Sequence, residues 1–235
     1  MRTALTAVAA LAMIAGAAQA DIYMDNTGNH LAGGDLHDFF QSQGFDHLDI
    51  ASVEITNDAT NLYVDITLNA DIDATNWGKY ALGINNGVDP SDAGNGWGRN
   101  ISWNGQTISH WVATWADDGG SGIGGQVWAF DGSAWNETGG LSGTDDSMHS
   151  SGHQMFSIAL ADLGIGIGDT FTFDVISTGG GFDPGVDHLS NASYATDDWG
   201  VTSVAGQFLS YTVVPTPGAM TLLGMGGLVM ARRRR

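Results

Sequence analysis

The sequence predicts an all-β protein: a single antiparallel β-sandwich, jelly-roll-like, over residues 21–214, with Gly- and Asp-rich loops. Three observations predict it. Apolar residues recur with period two in run after run, as expected for strands with one buried face. Of the 26 acidic residues, all but Glu54 and Glu137 are Asp. Aspartate competes with the helix backbone and belongs in turns and caps. The 35 glycines punctuate the apolar runs at short intervals.

The elements follow in order. Val53 and Ile55 alternate with Ser52, Glu54 and Thr56. Leu62, Val64, Ile66 and Leu68 alternate with Tyr63, Asp65, Thr67 and Asn69. Residues 57–61, Asn-Asp-Ala-Thr-Asn, join these runs as a hairpin loop. Further strands are expected at Tyr80 to Ile84 and at Ile108 to Trp115, the latter with Trp111, Ala113 and Trp115 on one face. Gln126 to Phe130 and Ser133 to Asn136 flank Asp131-Gly132, read as a two-residue turn. Phe156, Ile158 and Leu160 form the next run, then Phe171, Phe173 and Val175, and finally Phe208 to Val214. This gives nine or ten strands. Short helical turns are expected at Asp35 to Gln41 and Ala161 to Leu163. Residues 179–206 show no period and read as a long crossing loop.

Both ends differ from this pattern. Arg2, the apolar stretch Ala4 to Ala18 and the small-x-small site Ala18-Gln19-Ala20 read in order as a signal peptide, residues 1–20. Its h-region is an expected N-terminal helix. At the other end, residues 215–235 combine Pro215-Thr216-Pro217, an uncharged segment Gly218 to Ala231, and the cluster Arg232, Arg233, Arg234 and Arg235. As a helix the apolar segment is about 21 Å long, against about 30 Å of bilayer hydrocarbon. The arginines favour the cytoplasmic side. This tail resembles the PEP-CTERM sorting signal of bacterial surface proteins, with Pro-Thr-Pro where that pattern has Pro-Glu-Pro. The resemblance implies export, transient retention in the membrane, and processing by an exosortase-like enzyme at the cell envelope, cell surface or extracellular matrix. A simple C-terminal membrane anchor is the alternative.

Between the ends, 26 acidic residues face only Lys79 and Arg99, a formal charge of −24. Such a surface repels a phosphate backbone, so nucleic acid is excluded as a partner. The absence of cysteine excludes disulfides, thiolate metal sites and a cysteine nucleophile. An exported chain of this kind must be held by its core or by metal ions.

Residues 49–64, with paired strands around an Asn-Asp loop and a Leu-Tyr-Val restart, resemble family 9 carbohydrate-binding modules and DOMON-like sandwiches. The strand Phe171-Thr172-Phe173-Asp174-Val175 is compatible with that resemblance, which implies sugar binding. Eight tryptophans suit the same role, because sugar C–H faces stack on indoles. Trp97, Trp103 and Trp135 lie in Gly-, Asn- and Ser-rich surroundings and are the candidates for an exposed platform. Core packing is the competing role for tryptophan.

Asp-rich loops offer oxygen ligands for calcium. Asp89, Asp92 and Asn95 form one candidate set, and Asp183 with Asp187 a second. Neither has EF-hand spacing, and solvated turns explain them equally. His149 and His153 would share a helix face, but Ser150-Ser151-Gly152 opposes a helix. No nucleophile elbow or phosphate loop is present, and two glutamates are few for glycosidase chemistry. The sequence therefore points to an exported, surface-sorted, non-catalytic sandwich that binds extracellular polysaccharide. A calcium-stabilised structural or adhesive envelope protein is the alternative, and a glycan hydrolase ranks third.

Overall fold

The computed structural model describes residues 20–25, 35–75, 77–117 and 119–215. The expected signal peptide through Gln19 and the tail from Thr216 onward lie outside the described residues; Ala20 and Pro215 are both exposed. Fourteen strands are present among the described residues, together with a short helix α1, Asp38–Gln41. They are β1 (Asp21–Met24), β2 (Ile50–Asn57), β3 (Asn61–Leu68), β4 (Lys79–Asn85), β5 (Ile101–Ser102), β6 (His110–Trp115), β7 (Gly124–Phe130), β8 (Trp135–Gly140), β9 (Gly143–Asp145), β10 (His153–Ala159), β11 (Thr170–Thr178), β12 (Gly185–His188), β13 (Ser203–Val204) and β14 (Leu209–Thr212).

Two antiparallel sheets form the expected sandwich. One has the order β1-β2-β3-β10-β9 and the other β12-β11-β4-β6-β7-β8, with β14 also pairing β11. The 57–61 hairpin holds. Asp58 accepts from the backbone N–H of Thr60 and Asn61, both at 2.7 Å, so a side chain closes the turn. The inward residues pack as period two dictates. Leu62, Val64, Ile66 and Leu68 meet Leu82, Ile84, Val112, Phe171, Phe173 and Val175 across the sheets, all buried.

Five of the strands escaped the periodicity: β1, β5, β9, β12 and β13. Each has two to four residues, too few to show a period. Two of them, β12 and β13, fall within 179–206, so that stretch is not the featureless crossing loop expected. Asp131-Gly132 is not a two-residue turn either. Phe130 pairs with Trp135, and Asp131 caps a four-residue loop by accepting from the N–H of Ser133 and Ala134.

The larger difference is a third layer. The outer face of the seven-stranded sheet carries Ala81, Trp111, Ala113 and Ile176, all buried. They are covered by the β4–β6 excursion, which supplies Ile101, Trp103 and Ile108, and by the stretch after β12, which supplies Ala205 and Phe208. The parallel pairing of β5 with β13 stitches the two covers together. Gly83 shows how close they lie: a Cβ there would fall 2.9 Å from the Trp103 ring.

Trp103 is therefore not part of an exposed platform. It is 2% exposed, and its Nε1–H donates to the Gly94 carbonyl at 3.2 Å. Replacement Trp103→Ala should cost about 3–5 kcal/mol of stability, the usual range for truncating a buried aromatic. Chemical denaturation of the parent and variant measures this. A loss below about 1 kcal/mol would contradict the third layer.

Candidate functional site

Four aspartates from four chain segments are buried at one end of the sandwich. Asp25 follows β1, Asp35 precedes α1, Asp49 precedes β2 and Asp187 lies in β12. Their exposures are 5%, 1%, 3% and 1%. The carboxylates of Asp25, Asp35 and Asp187 converge, with one oxygen of each within 4.8 Å of the others. This trio could hold a metal ion, and it is the sole such convergence of three His or acidic groups among the described residues.

The local structure explains the convergence. The chain entering β2, residues 47–50, is tied to the opposite sheet by three bonds. Asp187 Oδ2 accepts from the Ile50 N–H at 2.7 Å, Ser177 Oγ donates to the Leu48 carbonyl, and Tyr80 Oη donates to the His47 carbonyl at 2.8 Å. Asp25 is drawn in because its N–H donates to the Ala51 carbonyl at 3.1 Å. Asp187 thus bridges the two sheets while facing the other acids. An aromatic group of Phe40, Phe45, His47, Trp77 and Trp199, with successive ring centroids 4.9–6.1 Å apart, packs beside this segment.

The electrostatics follow from crowding in a dry place. Burial pushes the Asp187 carboxyl well up, and Asp25, Asp35 and Asp49 push the same way. Burial likewise raises Asp49 to about 7, assisted by Asp35 and Asp46 and opposed by a hydrogen bond from Asn69. Three carboxylates with only oxygen donors suit a hard cation such as calcium or magnesium, not a thiolate- or imidazole-seeking one.

Of the expected ligands, Asp187 alone belongs to this cluster. Asp183 lies instead by Arg99, whose charge opposes the upward shift that burial gives the Asp183 carboxyl. The other loop uses its oxygens locally. Asp89 accepts from Asn86 Nδ2 at 2.6 Å, Asp92 from the Gly94 N–H at 2.8 Å, and Asn95 from the Arg99 N–H at 2.8 Å. Sequence reasoning missed Asp25 and Asp35, since ten residues apart they form no motif.

The tryptophan candidates separate as well. Trp97 and Trp135 are half-buried. Trp97 stacks on Trp115 with centroids 6.3 Å apart and lies under the Arg99 guanidinium. Its Nε1–H donates to Gln126, and that of Trp135 reaches Asp92 at 3.4 Å. His149 and His153 share no face: one sits in a single 3₁₀ turn near Asp73, the other opens β10 beside Asp65.

A Ser-His-Asp arrangement does occur. His188 Nδ1 lies 2.7 Å from Asp174, and its Nε2 lies 3.0 Å from Ser203 Oγ. All three residues are fully buried in the third layer. Ser203 Oγ also accepts from the Gly185 N–H, and Asp174 from the Ser190 N–H. These bonds tie β11, β12 and β13 together.

Comparison with known protein families, curated proteins and solved structures finds no match.

The acid cluster predicts an unusual pH dependence. Asp49 and Asp187 bind a proton more tightly folded than unfolded. The Asp49 contribution to stability is complete below about pH 4, the ordinary aspartate value, and is lost as pH rises through about 7; that of Asp187 is lost in the same direction as its carboxyl ionises. His47 and His110, lowered by burial, act oppositely below about pH 6.5. In chelator, the melting temperature should therefore rise between about pH 8 and 6.5. Asp49→Asn should flatten that slope. A parent melting temperature that falls over this interval would contradict the cluster's electrostatics.

Proposed function

We propose that this chain is an exported, non-catalytic β-sandwich of the cell surface whose fold is completed by calcium at Asp25, Asp35 and Asp187. The observation that supports the reading is the convergence of these three buried carboxylates. Calcium accepts six to eight oxygens in loose geometry, so carboxylates, backbone carbonyls and waters together suffice. Bound there, it offsets the mutual repulsion of the acids and holds β1, α1 and β12 to one point. Such a clamp suits a chain without cysteine that works outside the cell.

Calcium should raise the melting temperature more than sodium chloride of equal ionic strength. Saturation at about 100 times the dissociation constant adds about 2.7 kcal/mol. Asp25→Asn with Asp35→Asn should abolish the calcium response, whereas Asp89→Asn with Asp92→Asn should leave it intact. Identical melting curves in the two salts would overturn the calcium reading.

The resemblance of the tail to a PEP-CTERM signal supports delivery through the export machinery, transient membrane contact and an exosortase-like partner. In the native host, truncation after Val214 should shift the protein from the envelope fraction to the medium. Equal retention of both forms would remove the sorting role of residues 215–235.

Polysaccharide binding is the second reading. The resemblance of residues 49–64 to carbohydrate-binding sandwiches favours it, as does the cleft on the sheet that those residues help to build.

A further inference from the structure

We propose that the outer face of the five-stranded sheet binds a glycan strand bearing free amines, of the glucosamine type. The inference rests on the polysaccharide reading and moves its site away from the tryptophans. It does not depend on calcium.

The face carries a cleft of about 360 Å³ built from β2, β3, β10 and β9, within the size range of small-ligand sites. Strand register arranges its walls in two rows. Glu54, Asp65, Met155 and Asp145 lie opposite one another across the four strands, and Thr56, Tyr63, Ser157 and Gly143 form the adjacent row. Unlike the outer face of the other sheet, this one has no covering layer of buried apolar residues among the described residues.

Each row has a feature that packing alone does not require. Tyr63 is 41% exposed but is held in place, because its hydroxyl donates to Asp58 at 2.8 Å. A fixed, solvent-facing ring can stack on a sugar face or on an ammonium group. In the other row, Glu54 stands directly opposite Asp65, a pairing of like charges that destabilises a sheet. His153 at 2.9 Å compensates Asp65 from one side. Asp145 adds a third carboxylate, and among the described residues no Lys or Arg lines the cleft.

The occupant follows from that chemistry. Carboxylates accept hydrogen bonds and repel anions, so acidic polysaccharides are excluded. Ammonium groups complement three carboxylates around an aromatic ring. Thr56 and Ser157 hydroxyls supply exchangeable donors and acceptors for sugar hydroxyls.

Titration calorimetry of the full chain with a glucosamine hexamer, at a pH where its amines are ionised, tests the assignment. The N-acetylated hexamer and spermine serve as controls. The parent should bind the glucosamine hexamer at least tenfold more tightly than either control. Tyr63→Ala, and Glu54→Gln with Asp145→Asn, should each weaken binding about tenfold. Tyr63→Phe keeps the ring and should bind like the parent. Met155→Lys places a cation in the cleft without touching the hairpin, and should also weaken binding even if Tyr63→Ala fails to fold. Equal affinity for spermine or for the acetylated hexamer would overturn the proposal, as would unchanged binding by Met155→Lys. Loss of binding in Trp97→Ala alone would also overturn it, while leaving the polysaccharide reading in place. No binding of any hexamer by the parent would remove both.

Discussion

The seven-stranded sheet must be buried on both faces, and most of the molecule answers to that constraint. Its strands carry apolar residues inward, toward Leu62, Val64 and Phe156, and also outward, at Ala81, Trp111, Ala113 and Ile176. A sheet apolar on both sides needs a cover on each. One cover is the other sheet. The second is made from irregular chain, which has backbone polar groups to satisfy wherever it is buried. That requirement explains the dense side-chain bonding of the third layer. Asn95 holds Arg99 by both N–H and carbonyl, Gln106 holds Gly206 and Phe208, and Asp174, His188 and Ser203 form a closed chain. The arrangement of a hydrolase triad thus arises here as a cross-strand tie, without solvent access at any of its three members.

The acid cluster belongs to the inner interface. Asp187 bonds the Ile50 N–H and so joins the two sheets. The same carboxylate is crowded by Asp25, Asp35 and Asp49 in a desolvated place. A buried charge is tolerated only when it is paired, coordinated or neutralised by a proton. Protons fill that role at low pH, and a cation held by the trio would fill it at the pH where aspartate is normally ionised. The geometry that locks the sheets together therefore also gathers the carboxylates that could hold an ion.

The sequence displays the inner core openly, because strands of five to nine residues with one wet face show period two. The run Leu62 to Leu68 places every residue on its correct side. It displays the third layer poorly. β6 has the burial of a fully covered strand, yet its cover comes from β5 and β13, two-residue strands about a hundred positions apart. Trp103 and Trp97 sit in equally Gly- and Asn-rich surroundings, and only tertiary packing separates the buried indole from the half-buried one. The cation cluster is hidden for a similar reason. Asp89, Asp92 and Asn95 have the local spacing of a binding loop, but they spend their oxygens on neighbours: the Asn86 side chain and the Gly94 and Arg99 N–H groups. Asp25, Asp35 and Asp187 have no spacing at all and meet because strands from both sheets end at one place.

The two outer faces then divide their roles by the same logic. The seven-stranded sheet uses its tryptophans for stability. Trp103 is sealed, while Trp97 and Trp135 have their indole N–H groups engaged internally. An aromatic already tied on its polar edge and packed on its face has less surface to offer a ligand. The five-stranded sheet alternates cleanly through β3 and β10, so the outward residues there are released from packing. On such a face a fixed tyrosine, three carboxylates and hydroxyls in register are not explained by the core beneath them. Glu54 opposite Asp65 is unfavourable for the sheet, and His153 offsets it only from the Asp65 side. A surface that carries a cost to folding and supplies chemistry in a cleft is the physical support for the ligand recognition proposed for this sheet.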